Sequence, residues 1–122
     1  MRAILINPSE RSVGVVDLPD FTDAIRRKFG GAKLVRIATL PTGDSVHLLV
    51  ADGPYAASFS LGGSGPHRGL GLILGRRSLY GMVMNSRADV EGVAAILKFV
   101  PAGDAHHGNL MAETRGDGQP NK

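Results

Sequence analysis

The segment on which the fold prediction rests is RGLGLILGRR, which runs from Arg68 to Arg77. Glycines alternate with aliphatic residues, and arginines close both ends. Because successive side chains of a strand point to opposite faces, this spacing predicts a strand with leucines on one face and mostly glycine on the other. The two faces are Leu70, Leu72 and Leu74 on one side, and Gly69, Gly71, Ile73 and Gly75 on the other.

Glycine-rich segments beside basic residues often bind phosphate, so the two common phosphate-binding motifs are the relevant comparison. A P-loop needs G-x-x-x-x-G-K-[ST] between a strand and a helix, and this segment has no lysine. A dinucleotide-binding fingerprint needs G-x-G-x-x-G at the start of a helix. The third glycine here, Gly75, falls one residue too late for that spacing. Neither motif is present.

Three uses of the glycine face remain open. Close packing by another part of the chain is the first interpretation, because glycine lets a neighbour approach a strand closely. A surface for a partner or for self-association is the second. A phosphate site is the third, because guanidinium groups suit phosphate. The candidate binding residues are Arg68, Gly69, Gly71, Gly75, Arg76 and Arg77.

Length and composition predict one small folded domain. The chain has 122 residues, a formal net charge of +3 and 43% hydrophobic residues, which is enough for a core. The absence of cysteine excludes disulfides and thiolate metal sites, and the absence of tryptophan leaves few aromatic surfaces for base stacking. From Pro101 onward the composition is polar and rich in glycine. We expect a domain over residues 1–100 and a disordered tail over residues 101–122.

The first part of the chain predicts a hairpin and a helix. Ala3–Ile6 and Val13–Val16 are apolar runs joined by a polar turn, which is typical of an antiparallel hairpin. In DFTDAIRRKFGG, Asp20 is the predicted N-cap, and Gly30 and Gly31 favour a left-handed helix end. The predicted apolar face of this helix consists of Phe21, Ala24, Ile25 and Phe29.

The middle of the chain predicts further strands. Lys33–Leu40 and Ser45–Ala51 form a second predicted hairpin, which residues 52–54 end. Ala57–Leu61 alternates apolar residues with serines, which predicts a strand with one solvent-exposed face. The GGSGPH sequence at 62–67 predicts a flexible loop.

After the glycine-rich strand, Leu79–Met84 is expected to pair with it through a turn over Arg76–Ser78. Ser86 is then the predicted cap of a second helix, with Asp89 completing a capping box. That helix either continues to Leu97 or ends earlier.

We favour an earlier end for the second helix, followed by a strand over Ile96–Val100, because Gly92 weakens the helix interior. The predicted fold is a single small α+β domain. It has a mostly antiparallel sheet, one main helix and a short second helix.

No catalytic or metal-binding motif is visible. His47 lies in a predicted strand, His67 in the predicted loop near Ser64, and His106–His107 in the predicted tail. A nucleophile is normally held on a rigid elbow, which a loose loop does not supply. We therefore predict no enzyme, no cofactor and no metal site. A small enzyme built around His47 and a carboxylate is the third of three functional hypotheses.

Several segments resemble a group of small proteins carried by bacteriophages and other mobile elements. The group shows the pattern M-K-A-I-L-I-x-P … V-D-x-E-G … G-K-G-L-I-L-G … V-x-F, and the match covers about residues 1–100. The matching segments here are MRAILINP (1–8), LVADG (49–53), FSLGG (59–63), GLGLILG (69–75) and LKFV (97–100).

This chain departs from that pattern at two places. It has Ala51-Asp52-Gly53 where the group has an acidic DDEG turn, and Leu70 where the group has a lysine. The missing lysine weakens the phosphate interpretation of the glycine-rich strand. The resemblance implies an origin in a phage or mobile element and a cytoplasmic setting in a bacterial host, but it supplies no catalytic residues.

The leading functional hypothesis is a non-enzymatic accessory protein that binds a host protein, for example to modulate or inhibit a host factor such as a defence system. Self-association is compatible with it, because an open sheet leaves edges to cover. The alternative is a nucleic-acid or nucleotide-binding protein. A membrane-spanning helix needs about 20 consecutive apolar residues, and no segment here is that long, so we expect no membrane partner. This nucleic-acid or nucleotide-binding alternative would use the arginines around the glycine-rich strand, with Arg26, Arg27 and Lys28 as a second basic cluster.

Overall fold

The structure, a computed structural model, describes residues 1–50 and 57–100. These residues form two helices and eight strands. In chain order the elements are β1 (Arg2–Asn7), β2 (Ser12–Asp17), α1 (Thr22–Lys28), β3 (Lys33–Thr39), β4 (Ser45–Val50), β5 (Ser58–Leu61), β6 (Ser64–Arg68), β7 (Leu70–Leu74), α2 (Val90–Ile96) and β8 (Leu97–Val100).

The strands form two antiparallel sheets. The larger sheet has five strands in the order β2-β1-β7-β4-β3, and the smaller has three in the order β6-β5-β8. Both predicted hairpins are present in the larger sheet, as β1–β2 and β3–β4. The expected small α+β domain with mostly antiparallel strands is therefore confirmed.

The glycine-rich strand β7 is the central strand of the larger sheet. Its Ile73 lies opposite Ile4 of β1 on one side and opposite Val46 of β4 on the other, and all three are fully buried. The predicted pairing of Leu79–Met84 with β7 is wrong, because β1 and β4 already occupy both edges of β7. A single isolated bridge at Arg77 connects to the later segment.

Each face of the larger sheet has its own core. Leu72 and Leu74 belong to the face that carries α1, where they cluster with Ile25 of that helix. Ile73 belongs to the opposite face, in one cluster with Phe59 of the smaller sheet and Val93 of α2. The strand β7 is therefore buried on both sides, which its nearly continuous apolar sequence favours.

The glycine face of β7 is packed by the chain itself. A Cβ atom built on Gly71 would lie 2.8 Å from Cζ of Phe59. A Cβ atom on Gly75 would overlap the carbonyl oxygens of Met84 and Asn85. Close packing by another part of the chain, the first interpretation of this face, is therefore confirmed at Gly71 and Gly75.

The helix α1 begins at Thr22, so the predicted cap Asp20 is wrong. The N-cap position is Phe21, which makes no capping hydrogen bond through its side chain. The carboxyl group of Asp20 lies instead 3.3 Å from the amino group of Met1. Phe21 is 53% exposed and does not belong to the buried face, which Ile25 provides. The two glycines after the helix have positive φ, as predicted.

The helix α2 begins at Val90, three residues later than expected. Its N-cap is Asp89, whose carboxyl group accepts a hydrogen bond from the backbone N–H of Gly92 at 3.3 Å. Ser86 is not the cap, because the helix begins four residues later; its hydroxyl donates to a buried carboxyl group at the β3–β4 turn and accepts the backbone N–H of Ala88 at 3.2 Å. The predicted change from helix to strand is confirmed, with β8 starting at Leu97.

Residues 62–67 were predicted as a flexible loop, and this prediction is wrong. Leu61 pairs with Ser64 across a two-residue turn, and both turn residues, Gly62 and Gly63, have positive φ. Two glycines with positive φ are the conformation that a tight hairpin turn requires. The following residues therefore form β6 against β5.

The serine side of β5 also differs from its prediction. Ser58 is 1% exposed rather than solvent-facing, whereas Ser60 on the same face is half-buried. The predicted break at residues 52–54 and the predicted tail at 101–122 lie outside the described residues.

Candidate anion-binding site

A cavity of about 440 Å³ lies on the face of the larger sheet that also carries α1. Its walls come from β3, β4, the end of β7, the start of α1 and the segment that follows β7. We call it the basic cavity. Its polar lining residues are Thr22, Arg36, Ser45, His47, Arg76 and Arg77.

Arg36 reaches the cavity through the regular alternation of β3. Leu34, two residues earlier, also lines the cavity, and these two residues pair with Leu49 and His47 of β4 without a shift in register. Alternate residues of a strand share a face, and so do directly opposite residues of neighbouring strands. Arg36 and His47 therefore lie next to each other in the cavity wall. A bulge follows Arg36 and takes up Ile37.

Arg76 lies against the β3–β4 turn. Gly43 in that turn has a φ of +91°, which favours glycine. A Cβ atom on Gly43 would lie 2.8 Å from Nη2 of Arg76. The glycine thus serves the turn and also leaves the space that the guanidinium group occupies.

Arg77 is held from the other side of the cavity. Its Nη2 donates a hydrogen bond of 3.1 Å to Oγ1 of Thr22, the first residue of α1. Its backbone bridges to Val83, which is buried. Arg77 is therefore positioned by two separate parts of the chain.

The cavity carries positive charge without a compensating carboxyl group in its lining. Within residues 1–50 and 57–100, the ion pairs join the amino terminus to Asp17 and Asp20, and Arg26 to Asp23. None of the three cavity arginines takes part in these pairs. Three arginines therefore line one concave space.

His47 lies among these charges. Burial lowers the pKa of His47 below its ordinary value, and the guanidinium groups of Arg36 and Arg77 lower it further, since both factors disfavour the charged imidazole. The Ser45 backbone acts in the opposite direction. The Nδ1 atom is buried and has no hydrogen bond of normal geometry in the described part of the chain.

The structure brings together only part of the predicted site. Arg76 and Arg77 line the basic cavity, and Gly75 contributes backbone to it. Arg68 ends β6 in the smaller sheet and does not line the cavity. The remaining predicted site residues, Gly69 and Gly71, are buried.

Three polar cavity residues, Thr22, Arg36 and Ser45, were missed from sequence. The alternation of Leu34 and Arg36 in a predicted strand was a usable signal for a shared face. The packing of α1, which brings Thr22 to the cavity, depends on distant parts of the chain.

Other sequence candidates lie elsewhere. The cluster at residues 26–28 forms the last turn of α1, where Arg26 binds the carbonyl of Ala32 at 3.2 Å. Ser64 Oγ and His67 Nε2 are 3.1 Å apart, on a strand rather than a loop. The ring of His67 also packs on Phe59. Among the hydrogen bonds of the described residues, none joins His67 to a carboxyl group that would orient it.

A turn beside the cavity exposes two large apolar residues. Leu79 is 100% and Tyr80 is 89% exposed. The turn is closed by hydrogen bonds from the Ser78 N–H to the Met82 carbonyl, and from the Gly81 N–H to the Ser78 carbonyl. We call residues 78–82 the apolar turn. It follows Arg77 directly in sequence.

The chain is an α+β protein with a basic cavity on its larger sheet. No protein-family model, curated protein or solved structure matches it. In the described ranges, no helix is both long and apolar enough to cross a membrane. The same ranges contain no group of three or more His, Cys, Asp or Glu side chains arranged to hold a metal ion.

Proposed function

We propose that the protein binds a phosphate-bearing ligand, of the nucleic-acid or nucleotide class, in the basic cavity. The observation that carries this proposal is the convergence of Arg36, Arg76 and Arg77 on one concave space that no carboxyl group lines. Guanidinium groups bind phosphate through paired hydrogen bonds. Concave sites with a few converging polar groups are the usual form of a ligand site.

The arrangement of the arginines also favours a ligand over simple solvation. Like charges that share a small space repel one another, although solvent screens part of the repulsion here because all three arginines are exposed. An anion bound between them removes that repulsion. The hydrogen bond to Thr22 and the space left by Gly43 hold two of the guanidinium groups at the cavity. Freely solvated arginines need neither contact.

Binding is measured by fluorescence anisotropy of a labelled single-stranded oligonucleotide that carries a 5′-phosphate, over a series of salt concentrations. We expect affinity to fall steeply with salt, because phosphate contacts release counterions. Replacing Arg36 or Arg77 with glutamine is expected to weaken binding about tenfold and to reduce the salt slope by about 0.7.

Arg68→Gln is the matched control, because Arg68 is exposed and lies outside the cavity. It removes the same charge but is expected to leave most of the affinity. An affinity that ignores salt, or an equal loss in all three variants, would contradict the proposed site.

A second candidate function is protein binding, and the exposed Leu79 and Tyr80 favour it. Exposed aromatic and aliphatic side chains beside arginines are typical anchors of protein interfaces. A partner with an apolar pocket surrounded by acidic residues would suit this surface. An accessory protein of phage or mobile-element origin, acting on a host factor in the bacterial cytoplasm, remains a hypothesis of this kind.

The protein-binding candidate is tested by capture from bacterial lysate with wild type and with the double variant Leu79→Ser, Tyr80→Ser. A partner recovered by wild type and by Val15→Ser, but not by the double variant, would support it. Val15 is a suitable control because it is 55% exposed on β2, away from the apolar turn. Recovery that is equal for all three proteins would exclude this use of the turn.

A further inference from the structure

We infer that the basic cavity takes a terminal phosphate, a phosphomonoester, in preference to an internal phosphodiester. This inference rests on the proposed function and specifies its ligand. The same chemical group occurs on a mononucleotide and on the 5′-phosphorylated end of a nucleic acid. The cavity therefore selects the phosphate end, whichever molecule carries it.

Charge balance is the first argument. The lining contributes three guanidinium groups and no carboxyl group. An internal phosphodiester brings one negative charge, whereas a terminal phosphate brings about 1.5 to 2 at neutral pH. A monoester therefore neutralises more of the cavity charge at a single position. A diester would leave more than one guanidinium group without a counter-charge.

The number of acceptor atoms is the second argument. A terminal phosphate presents three free oxygens, and an internal diester presents two. Arg36 comes from β3, while Arg76 and Arg77 come from the segment after β7, so the guanidinium groups approach from different walls. The three oxygens of a terminal phosphate face different directions, so each can accept a hydrogen bond from an arginine on a different wall of the cavity.

Thr22 is the positioning residue of this site. Its hydroxyl oxygen accepts a hydrogen bond from Nη2 of Arg77 and so fixes one donor relative to the cavity. Removing the hydroxyl changes no charge. It therefore separates a fixed phosphate site from a diffuse basic surface, because only the fixed site depends on the direction of one guanidinium group.

The experiment compares phosphate forms on the intact chain by calorimetry and competition. The ligands are a nucleoside 5′-monophosphate, its cyclic 3′,5′-diester, the unphosphorylated nucleoside and inorganic phosphate. A second pair is one oligonucleotide with and without a 5′-phosphate. We expect the monophosphate to bind about tenfold or more tightly than the cyclic diester, in line with one additional charge near the arginines.

Comparison of the mononucleotide with the 5′-phosphorylated oligonucleotide identifies the source of the group. If the mononucleotide binds more tightly, the ligand is a small molecule; if the oligonucleotide does, the ligand is a nucleic-acid end. Both results support a terminal-phosphate site. If oligonucleotides with and without the 5′-phosphate bind equally and still require Arg36, the proposed function stands and this inference is overturned. If no phosphate-bearing ligand binds, both are overturned.

Variants at Thr22 add a test that does not depend on charge. Thr22→Val is expected to weaken monophosphate binding about tenfold while leaving binding of the cyclic diester nearly unchanged. Thr22→Ser keeps the hydroxyl and is expected to retain the affinity. Equal effects of Thr22→Val on both ligands would contradict a fixed terminal-phosphate site. Thermal melting of each variant confirms that it is folded.

Discussion

Ser86 Oγ donates a 2.8 Å hydrogen bond to Oδ2 of Asp44, and this contact joins the β3–β4 turn to the segment that leads into α2. The same oxygen accepts the backbone N–H groups of Arg87 and Ala88, at 2.9 and 2.7 Å. Asp44 is 1% exposed. One buried carboxyl group therefore satisfies three donors from a distant, irregular segment.

Asp44→Ala is expected to lower the free energy of unfolding by about 3 kcal/mol, because it leaves buried donors without an acceptor. Chemical denaturation measures this change. Ser86→Ala removes one of the three donors and is expected to cost about 1 kcal/mol. A cost for Asp44→Ala no greater than that for Ser86→Ala would show that the two backbone contacts contribute nothing.

Gly71 and Phe59 provide a second prediction, about the packing between the two sheets. Gly71→Ala is expected to destabilise the protein by about 1–3 kcal/mol, because the new methyl group would meet the ring of a fully buried phenylalanine. The ring has no solvent side to move toward. Equilibrium denaturation of the variant measures the loss.

Gly14→Ala is the matched control, since a Cβ on Gly14 has no neighbour within 4 Å. It is expected to leave stability unchanged or to raise it by about 0.5 kcal/mol. In a double-mutant cycle, Phe59→Leu should reduce the cost of Gly71→Ala, because the smaller side chain makes room. Additive effects of the two changes would contradict a direct clash.

The fold could be predicted from sequence where local patterns decide it. Hairpins β1–β2 and β3–β4 follow from short polar turns between apolar runs, and the end of α2 follows from the strand-like alternation of Leu97–Val100. The predicted pairing of Leu79–Met84 failed because β7 pairs with strands far away in sequence. No local signal shows which distant strand will occupy an edge.

The candidate site was less predictable for the same reason. The glycines of β7 indicate close approach, but the sequence does not show that Phe59 is the approaching group. Arg77 was identified as a candidate, whereas its partner Thr22 lies 55 residues earlier. Arg36 shares a face with Leu34 by simple alternation, but the sequence does not show that the segment after β7 brings two more arginines to that face.

His47 gives a prediction about pH. Its pKa is lowered in the folded state by burial and by Arg36 and Arg77, so the unfolded chain binds the proton more readily. The contribution of His47 to stability is therefore fully present above pH about 6.5 and declines as the pH falls from there toward the lower folded pKa. Denaturation midpoints at several pH values measure this decline. His47→Gln is expected to show a shallower loss of stability over that window.

The same prediction is checked directly by NMR titration of the His47 ring. Arg36→Gln removes one of the positive charges that lower the pKa of His47, and is expected to raise that pKa toward its ordinary value. Arg27→Gln removes a charge from the last turn of α1, outside the cavity, and is expected to have little effect. Equal shifts in the two variants would indicate general protein charge rather than the cavity.

The apolar turn gives a prediction about stability, because exposed and buried residues of this segment should contribute differently to the free energy of unfolding. Leu79→Ser is expected to change the free energy of unfolding by less than about 0.5 kcal/mol, because a fully exposed side chain packs against nothing. Val83→Ser, four residues on, is expected to cost about 2 kcal/mol, since Val83 is 5% exposed and belongs to the core beside α1. Urea denaturation of both variants separates the two roles. If Leu79→Ser proves as costly as Val83→Ser, the tip of the turn is packed in the folded protein and is not free for a partner.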